Sequence, residues 1–407
     1  MRQILYGESP ARQTHTGTTG SVEKTGATFV LTPNPGANYL LFWSGLLDAN
    51  TAATVTANMV NLTAGGGGFQ SVGRTNGAIE KVPVGGMVVW NSGVLNTPQT
   101  WGLKQATANA GNTVGFQEAT PASIEMTAAD EFIYLGTAAG DITTSSNTYQ
   151  TSGQLTFTPP TTGDYLILAY TVMLTPNQTD CCLRMFDGTN AWGVAEPTTS
   201  VNSGSYMPYF TIAQRTLPGG VPISLTLQMK TLTAVTMTTR RTCIVALRVD
   251  NGLSRVKQWE DRAASTTTSN SMQDKLSVGL SALNTSDTLV FMSMLTNGNT
   301  GATDHRVESY VNGATVGIPA VRRTPSAVPY LPYFKLFRLP VTARSNNLRL
   351  RYSSDGATTL TAQEASIAVL QSGGDDLYFG SKVPDIVRLG DNPVDRMYLG
   401  STKVYGF

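Results

Sequence analysis

The chain has 407 residues, enough for roughly two to four domains of about 100 to 150 residues, and its 41% hydrophobic content is that of a globular protein. A net charge of +1, with only 14% charged residues against about 25% in an ordinary soluble domain, supplies no field to recruit nucleic acid or an anionic membrane. No run of about 18 apolar residues and no signal-peptide stretch follows Met1, so neither membrane insertion nor export by that route is expected.

Thr, Ser, Asn and Gly take the surface positions that charges usually fill, and these residues favour strands and turns over long helices. Residues 1–25, rich in Thr, Gly and Ser with one apolar patch at Ile4-Leu5-Tyr6, read as an extended N-terminal arm. A first module is expected over 26–140, a second over 141–251, and a connector with a third module over 252–373. A tail of Gly-punctuated repeats follows over 374–407.

The second and third modules are copies. Thr143-Thr-Ser-Ser-Asn-Thr-Tyr-Gln150 returns as Thr266-Thr-Thr-Ser-Asn-Ser-Met-Gln273, and Cys243-Ile-Val-Ala-Leu returns as Ser366-Ile-Ala-Val-Leu, an offset of 273 − 150 = 123 residues. Tyr206-Met-Pro-Tyr-Phe210 returns as Tyr330-Leu-Pro-Tyr-Phe334, and Asp187-Gly188 returns as Asn312-Gly313. The first module shares only its opening: Phe29 and Pro33, then Gly36 and Tyr39-Leu-Leu-Phe-Trp43, parallel Phe157 and Pro159, then Gly163 and Tyr165-Leu-Ile-Leu-Ala-Tyr170.

Within each copy Ile223, Leu225, Leu227 and Met229 alternate with polar residues, as do Leu348, Leu350 and Tyr352, which predicts strands with one wet face. The apolar runs Tyr165 to Leu174 and Leu289 to Leu295 predict central strands buried on both sides. Asp187-Gly188 and Asn312-Gly313 have the composition of type I′ hairpin turns. Ser254 to Ala264, SRVKQWEDRAA, is the one helix expected, a connector docked by Trp259. The fold class is therefore all-β, three tandem β-sandwich modules of jelly-roll kind, with the arm before them and a short β-repeat tail after.

Residue types that carry chemistry are sparse. Cys181, Cys182 and Cys243 are odd in number and absent from the third module, so buried free thiols are expected rather than disulfides. His15 and His305 lack metal-pair spacing and read as exposed loop residues. Gly65 to Gly68 lacks the Lys and helix of a phosphate loop and reads as a mobile loop tip. Asp130-Glu131, Glu260-Asp261 and Asp375-Asp376 sit at module ends, where carboxylates usually face water. Arg240-Arg241 and Arg322-Arg323 are basic pairs without interleaved aromatics, which argues against nucleic-acid binding. No catalytic, cofactor or metal residues are assigned, and no cofactor is expected.

The duplicated Tyr-x-Pro-Tyr-Phe supports two readings. Tyr206, Tyr209, Phe210, Tyr330, Tyr333 and Phe334 would form a glycan-stacking platform if exposed, or core rings beside an edge-strand Pro208 and Pro332 if buried. The core reading is favoured. In the tail, Gly380, Gly390 and Gly400 recur every ten residues. Units so short cannot bury their own apolar residues, so Tyr378, Gly380, Leu389, Gly390, Tyr398, Gly400 and Val404 are assigned to assembly.

The ending DIVRLGDNPVDRMYLGSTKVYGF resembles the Gly-punctuated C-terminal segments of tail and other virion proteins of tailed bacteriophages, over about thirty residues. That resemblance implies a virion structural component, located at the tail or particle surface. Its expected partners are sister chains in a homotrimer, other virion proteins and a host-surface glycan. A tail-associated fibre or receptor-binding protein acting by multivalency is the leading expectation; a capsid decoration or head-fibre protein and a glycan depolymerase spike are the alternatives.

Overall fold

In the computed structural model every regular element among the described residues is a strand. The structure describes residues 4–16, 21–51, 53–75, 80–107, 111–126, 133–175, 181–198, 205–232, 235–249, 255–281, 288–298, 304–323, 330–339, 345–356, 358–371, 396–399 and 402–406.

The first sandwich comprises β1 (Ile4–Tyr6), β2 (Gln13–Thr16), β3 (Val22–Leu31), β4 (Asn38–Ala49), β5 (Ala53–Asn61), β6 (Gly66–Thr75), β7 (Val82–Asn91), β8 (Gln99–Thr107) and β9 (Thr113–Met126). Its sheets run β1-β9-β4-β7, with β2 also on β9, and β3-β8-β5-β6. The second comprises β10 (Ile133–Thr144), β11 (Gln150–Phe157), β12 (Gly163–Thr175), β13 (Cys181–Phe186), β14 (Ala191–Thr198), β15 (Ser205–Leu217), β16 (Ile223–Thr231) and β17 (Met237–Arg248), in sheets β10-β17-β12-β15 and β11-β16-β13-β14. The third comprises β18 (Arg255–Asp261), β19 (Ser265–Thr267), β20 (Gln273–Ser281), β21 (Thr288–Gly298), β22 (Asp304–Val311), β23 (Ala314–Thr315), β24 (Ala320–Arg323), β25 (Leu331–Leu339), β26 (Ser345–Ser353) and β27 (Leu360–Gln371). Its sheets run β18-β27-β21-β25, with β19 on β27, and β20-β26-β22-β23, with β24 on β22. A hairpin of β28 (Arg396–Leu399) and β29 (Thr402–Gly406) follows.

Taking β1 with β2, β18 with β19 and β23 with β24 as interrupted strands, each sandwich has eight strands in one order. The first, eighth, third and sixth make one sheet, and the second, seventh, fourth and fifth make the other. This is the jelly-roll arrangement of two Greek keys. It holds in the first sandwich as well, although little of that sequence resembles the other two.

Each sandwich encloses its own core. Leu155, Tyr165, Ile167, Trp192 and Leu225 belong to the second, Leu41, Trp43, Val55 and Trp101 to the first, and Val290, Met292, Leu348 and Leu350 to the third. The strongest sequence repeat turns out to shape a corner. Ser146 N donates to Thr144 Oγ1 and Thr231 N to Ser146 O; one repeat later Ser269 N donates to Thr267 Oγ1 and Ser354 N to Ser269 O. Hydroxyls that satisfy local backbone in this way define the turn from the first strand to the second.

Several sequence expectations change. The N-terminal arm is sheet: Ile4 to Tyr6 pair with Ile124 to Ala122, and Gln13 to Thr16 with Phe116 to Thr113. The expected helix is β18, aligned with β27 from Arg255 opposite Gln371 to Asp261 opposite Ala365, because cross-strand pairing outweighs a weak local propensity; Trp259 packs on the third core. Gly66 to Gly68 open β6 rather than form a loop tip. Asn312 and Gly313 both have positive φ, 49° and 92°, as a type I′ turn requires, whereas at Asp187 the carboxylate accepts from Thr189 N and Asn190 N and closes a longer loop. His305 is not a loop residue; it lies in β22, buried, with Nδ1 3.1 Å from Thr296 Oγ1.

Leu225 is fully enclosed between the second sandwich's sheets. Leu225→Ala is expected to cost about 2 to 5 kcal/mol in urea unfolding, through lost transfer energy and the cavity left behind.

Candidate functional site

The inner strands of each sandwich are apolar on both faces, and the second faces meet one another. Along β12, Tyr165, Ile167 and Ala169 enter the sandwich core, while Leu166, Leu168, Tyr170 and Val172 enter a separate seam. Leu40, Phe42, Ala122 and Ile124 of the first sandwich and Leu289, Phe291, Ala368 and Leu370 of the third enter the same seam. The eighth strands contribute at the repeat period: Ala122, Val245 and Ala368, then Ile124, Leu247 and Leu370, all spaced by 123 (245 − 122 = 368 − 245). Equivalent sheets of all three sandwiches therefore share one hydrophobic centre, where each fully buried Leu or Phe contributes about 1.5 to 3 kcal/mol.

The contacts run in one rotational sense. Ser44 of the first sandwich donates through Oγ to Leu336 O of the third at 3.2 Å and accepts from Leu336 N at 2.8 Å. Tyr170 of the second donates its hydroxyl to Gly85 O of the first at 2.9 Å. Glu364 of the third accepts from Gly193 N of the second at 2.9 Å. First onto third, third onto second and second onto first is a pseudo-threefold cycle within one chain.

In the Tyr-x-Pro-Tyr-Phe copies Phe210 and Phe334 enter this seam while Tyr209 and Tyr333 enter the sandwich cores, so these four rings follow the core reading and are not a glycan platform. Tyr209 and Tyr333 are buried in the second and third cores, the former donating to Gly193 O and the latter 3.0 Å from Ser309 Oγ. Burial pushes both phenols well above their ordinary range. Phe210 and Phe334 stack across the seam with centroids 3.9 Å apart and planes at 30°. Tyr330 is half-buried against the second core and donates to Gln363 Oε1 at 2.9 Å; the side chain of Tyr206 lies outside the described residues. In the register of β4 with β7, Ser44 faces Gly85, as Tyr170 faces Phe210 and Ser293 faces Phe334. A Cβ on Gly85 would stand 3.0 Å from Phe334 Cδ1 and 2.8 Å from Trp43 O. Two phenylalanines and one glycine thus fill the centre, with no volume for a third ring.

Sequence reasoning missed a second set of seam residues. Glu118, Arg241 and Glu364, again spaced by 123 (241 − 118 = 364 − 241), have φ of 52°, 55° and 52° and each sits in a bulge of the eighth strand. Left-handed backbone at a non-glycine residue costs about 1 to 2 kcal/mol, and at Glu118 and Glu364 it turns the side chain toward the neighbouring sandwich. Glu118 reaches Lys335 Nζ of the third sandwich at 3.4 Å, and Lys335 also donates to Val316 O. A Cβ on Gly317 would overlap the Glu118 carboxylate, so the glycine forms its notch. Glu364 meets Arg262 at 2.5 Å and the Gly193 amide, and Gly193 stands 124 residues before Gly317 (317 − 193). The readable signal was a charged residue recurring at the repeat spacing within the eighth strand.

Other charges serve the same contacts. Glu260, expected to face water, pairs with Arg215 of the second sandwich at 3.3 Å and with Arg262 at 2.6 Å; its neighbour Asp261 pairs with Lys275 at 2.7 Å. Burial would raise the Glu260 carboxyl, but the guanidinium groups of Arg262 and Arg215 outweigh it and hold the group below its ordinary range. Burial and the Glu118 charge raise Glu8, while burial lowers the Lys335 amine against the pull of Glu118 and Glu8. The three cysteines are buried and form no disulfide, and burial pushes the Cys243 thiol up to about 12.

Among the described residues no group of three His, Cys, Asp or Glu could hold a metal ion, and no helix is long and apolar enough to cross a membrane. Of the tail positions assigned to assembly, Tyr398 and Val404 lie in β28 and β29, while Tyr378, Gly380, Leu389, Gly390 and Gly400 lie outside the described residues.

No family model matches the chain, and no curated protein matches its sequence. Among solved structures it is similar to a protein in the atomic structure of Sulfolobus turreted icosahedral virus, 9% identical over 91% of this chain and 92% of that one, with a TM-score of 0.20. It is similar to a protein described under the triple jelly-roll fold and turret assembly of an archaeal virus, 10% identical over 90% and 91% of the two chains, TM-score 0.20. VP2 of an infectious bursal disease virus subviral particle is 12% identical over 60% and 72%, TM-score 0.23.

Two tests address the seam. Glu118→Ala strands the buried Lys335 ammonium and is expected to cost about 3 to 5 kcal/mol, with Lys335→Met in the same chain restoring much of it in denaturant unfolding. Because Glu260 is depressed in the folded chain, its contribution is present above the unfolded-state value of about 4.3 and is lost as pH falls through the lower folded value. Protection of the β18 and β27 amides, taken relative to the intrinsic exchange rate at each pH, is expected to fall over that acidic window, and protection unchanged there would contradict the assignment.

Proposed function

We infer that this chain is a non-enzymatic structural protein of a virus particle. The observation that carries the reading is the closed pseudo-threefold seam: three jelly rolls of one order use their aromatic repeats and their repeat-spaced bulge residues to hold one another. The described seam carboxylates of Glu118, Glu260 and Glu364 are bound by Lys335, Arg215, Arg262 or the Gly193 amide. Held by cations and a backbone amide as fixed contacts, these carboxylates support a cohesive role.

Within that class we place the chain at the tail, as a fibre-associated or receptor-binding component acting by multivalent attachment. The Gly-punctuated ending supports this position. A capsid-surface decoration role is the second reading, favoured by the fact that one chain already supplies all three faces of the threefold seam. Both readings keep sister chains as partners, joined through surfaces other than that seam.

Cryo-EM of the particle, with this chain fitted to density, tests the assignment. Density at the tail supports attachment; density on the capsid lattice replaces it with decoration; particles lacking the chain would refute the structural role.

A further inference from the structure

Among the described residues the exposed large apolar side chains are Val30, Val94, Leu95, Val221 and Leu232, and four of these five lie at one end of their sandwiches. Val30 is next to last in β3, and Val94 and Leu95 tip the β7–β8 loop. That loop is tied to the β3–β4 loop: Ser92 N donates to Ala37 O at 2.9 Å and Ser92 Oγ to Asn34 O at 2.6 Å. Val221 tips the equivalent β15–β16 loop, where Gly220 N donates to Pro159 O at 2.7 Å. Val94 is 90% exposed, Val30 56% and Val221 47%, which costs hydration free energy with no return inside the chain.

The same end is where each sandwich passes the chain on. Met126 lies opposite Asn38, Val249 N donates to Asp164 O, and Gln371 lies opposite Thr288. The C-terminal segment therefore leaves the third sandwich at the end equivalent to the one that carries the bare apolar tips in the first and second. It ends in a two-stranded sheet, β28 with β29, paired with no strand of the three sandwiches. A two-stranded hairpin is marginal in water until it gains an apolar surface, and among the described residues no strand pairs with either of its outer edges. Residues 25–47 and 91–103, which carry Val30, Val94 and Leu95, contain no Lys, Arg, Asp or Glu.

We propose that the C-terminal hairpin of one copy docks on the apolar loop end of the first sandwich of a neighbouring copy, over Val30, Val94 and Leu95. The occupant is assigned to another copy because, among the described residues, the hairpin pairs with no strand of its own chain. The contact links chain to chain without using the threefold seam, and it rests on the structural role inferred above. The residues it covers, Val30, Val94 and Leu95, are uncharged, so apolar burial and not ion pairing is its main source of strength.

The test is sedimentation of the full-length chain over about 1 to 100 µM. The wild type is expected to associate reversibly, equally in about 0.1 and 0.5 M salt. Val94→Asp, Leu95→Asp and Tyr398→Asp should each weaken association by about tenfold or more, while Leu232→Asp, at the opposite end, leaves it unchanged. Unaltered thermal unfolding of Val94→Asp shows that the sandwiches persist. Mixing a Val94→Cys chain with a differently tagged Tyr398→Cys chain should give a disulfide between the two chains. A wild type that stays monomeric, a Val94→Asp chain that associates like wild type, or no disulfide between chains overturns the docking. Particles that still incorporate the Val94→Asp chain at normal copy number would remove this contact alone, whereas particles without the chain would remove the role on which it rests.

Discussion

Everything in this molecule follows from sheets that are apolar on both faces. A strand such as β12 can bury Ile167 and Ala169 in its own sandwich only by presenting Leu166 and Leu168 on the other side. A single jelly roll would leave that second face in water, a patch larger than soluble monomers tolerate. Three such faces turned toward one another bury all of them, and the period of 123 residues ensures that Ala122, Val245 and Ala368 arrive at equivalent places. The unit of stability is the trio.

Threefold burial creates a volume problem at the centre and a polar problem at the rim. The centre accepts the Phe210 and Phe334 rings at 3.9 Å because the first sandwich supplies Gly85 in the matching register. At the rim, bulges in the eighth strands aim Glu118 and Glu364 at the next sandwich, where the Gly317 notch and Lys335 receive Glu118 and the Gly193 amide receives Glu364, which Arg262 of its own sandwich also holds. The opposite charge of Arg241 at the third equivalent position breaks the symmetry chemically while the backbone keeps it. Such directional contacts set the rotational order of the sandwiches, which non-directional apolar burial cannot do.

A block of this kind suits a role in which shape and rigidity are the product. Its seam carboxylates close internal contacts, its aromatic repeats lie in cores and seam, and four of its five exposed large apolar residues among the described ones lie at one end of the first and second sandwiches. That division assigns cohesion to the seam and association between copies to the loop end and hairpin. Multivalent attachment and lattice decoration both draw on the same property, a stiff head that presents fixed surfaces.

Much of the fold was legible in the residues. Strict alternation in Leu225, Leu227 and Met229 and continuous apolarity from Tyr165 to Leu174 reflect strand period and burial directly, so sandwiches and central strands could be read without coordinates. The duplication of residues 143–250 as 266–371 was legible because turn hydroxyls and core residues tolerate few substitutions. The eight-strand order of the first module was not, since a jelly roll requires only alternation and turns, and many sequences meet that need. Residues 254–264 read as a helix because their propensities are local, whereas their pairing with β27 joins positions about a hundred residues apart. Tyr209 and Phe210 show the same limit within one dipeptide. Their aromatic character was plain from sequence, but successive strand residues face opposite ways, and only the packing of three sandwiches decided that one ring enters a core and the other the shared seam.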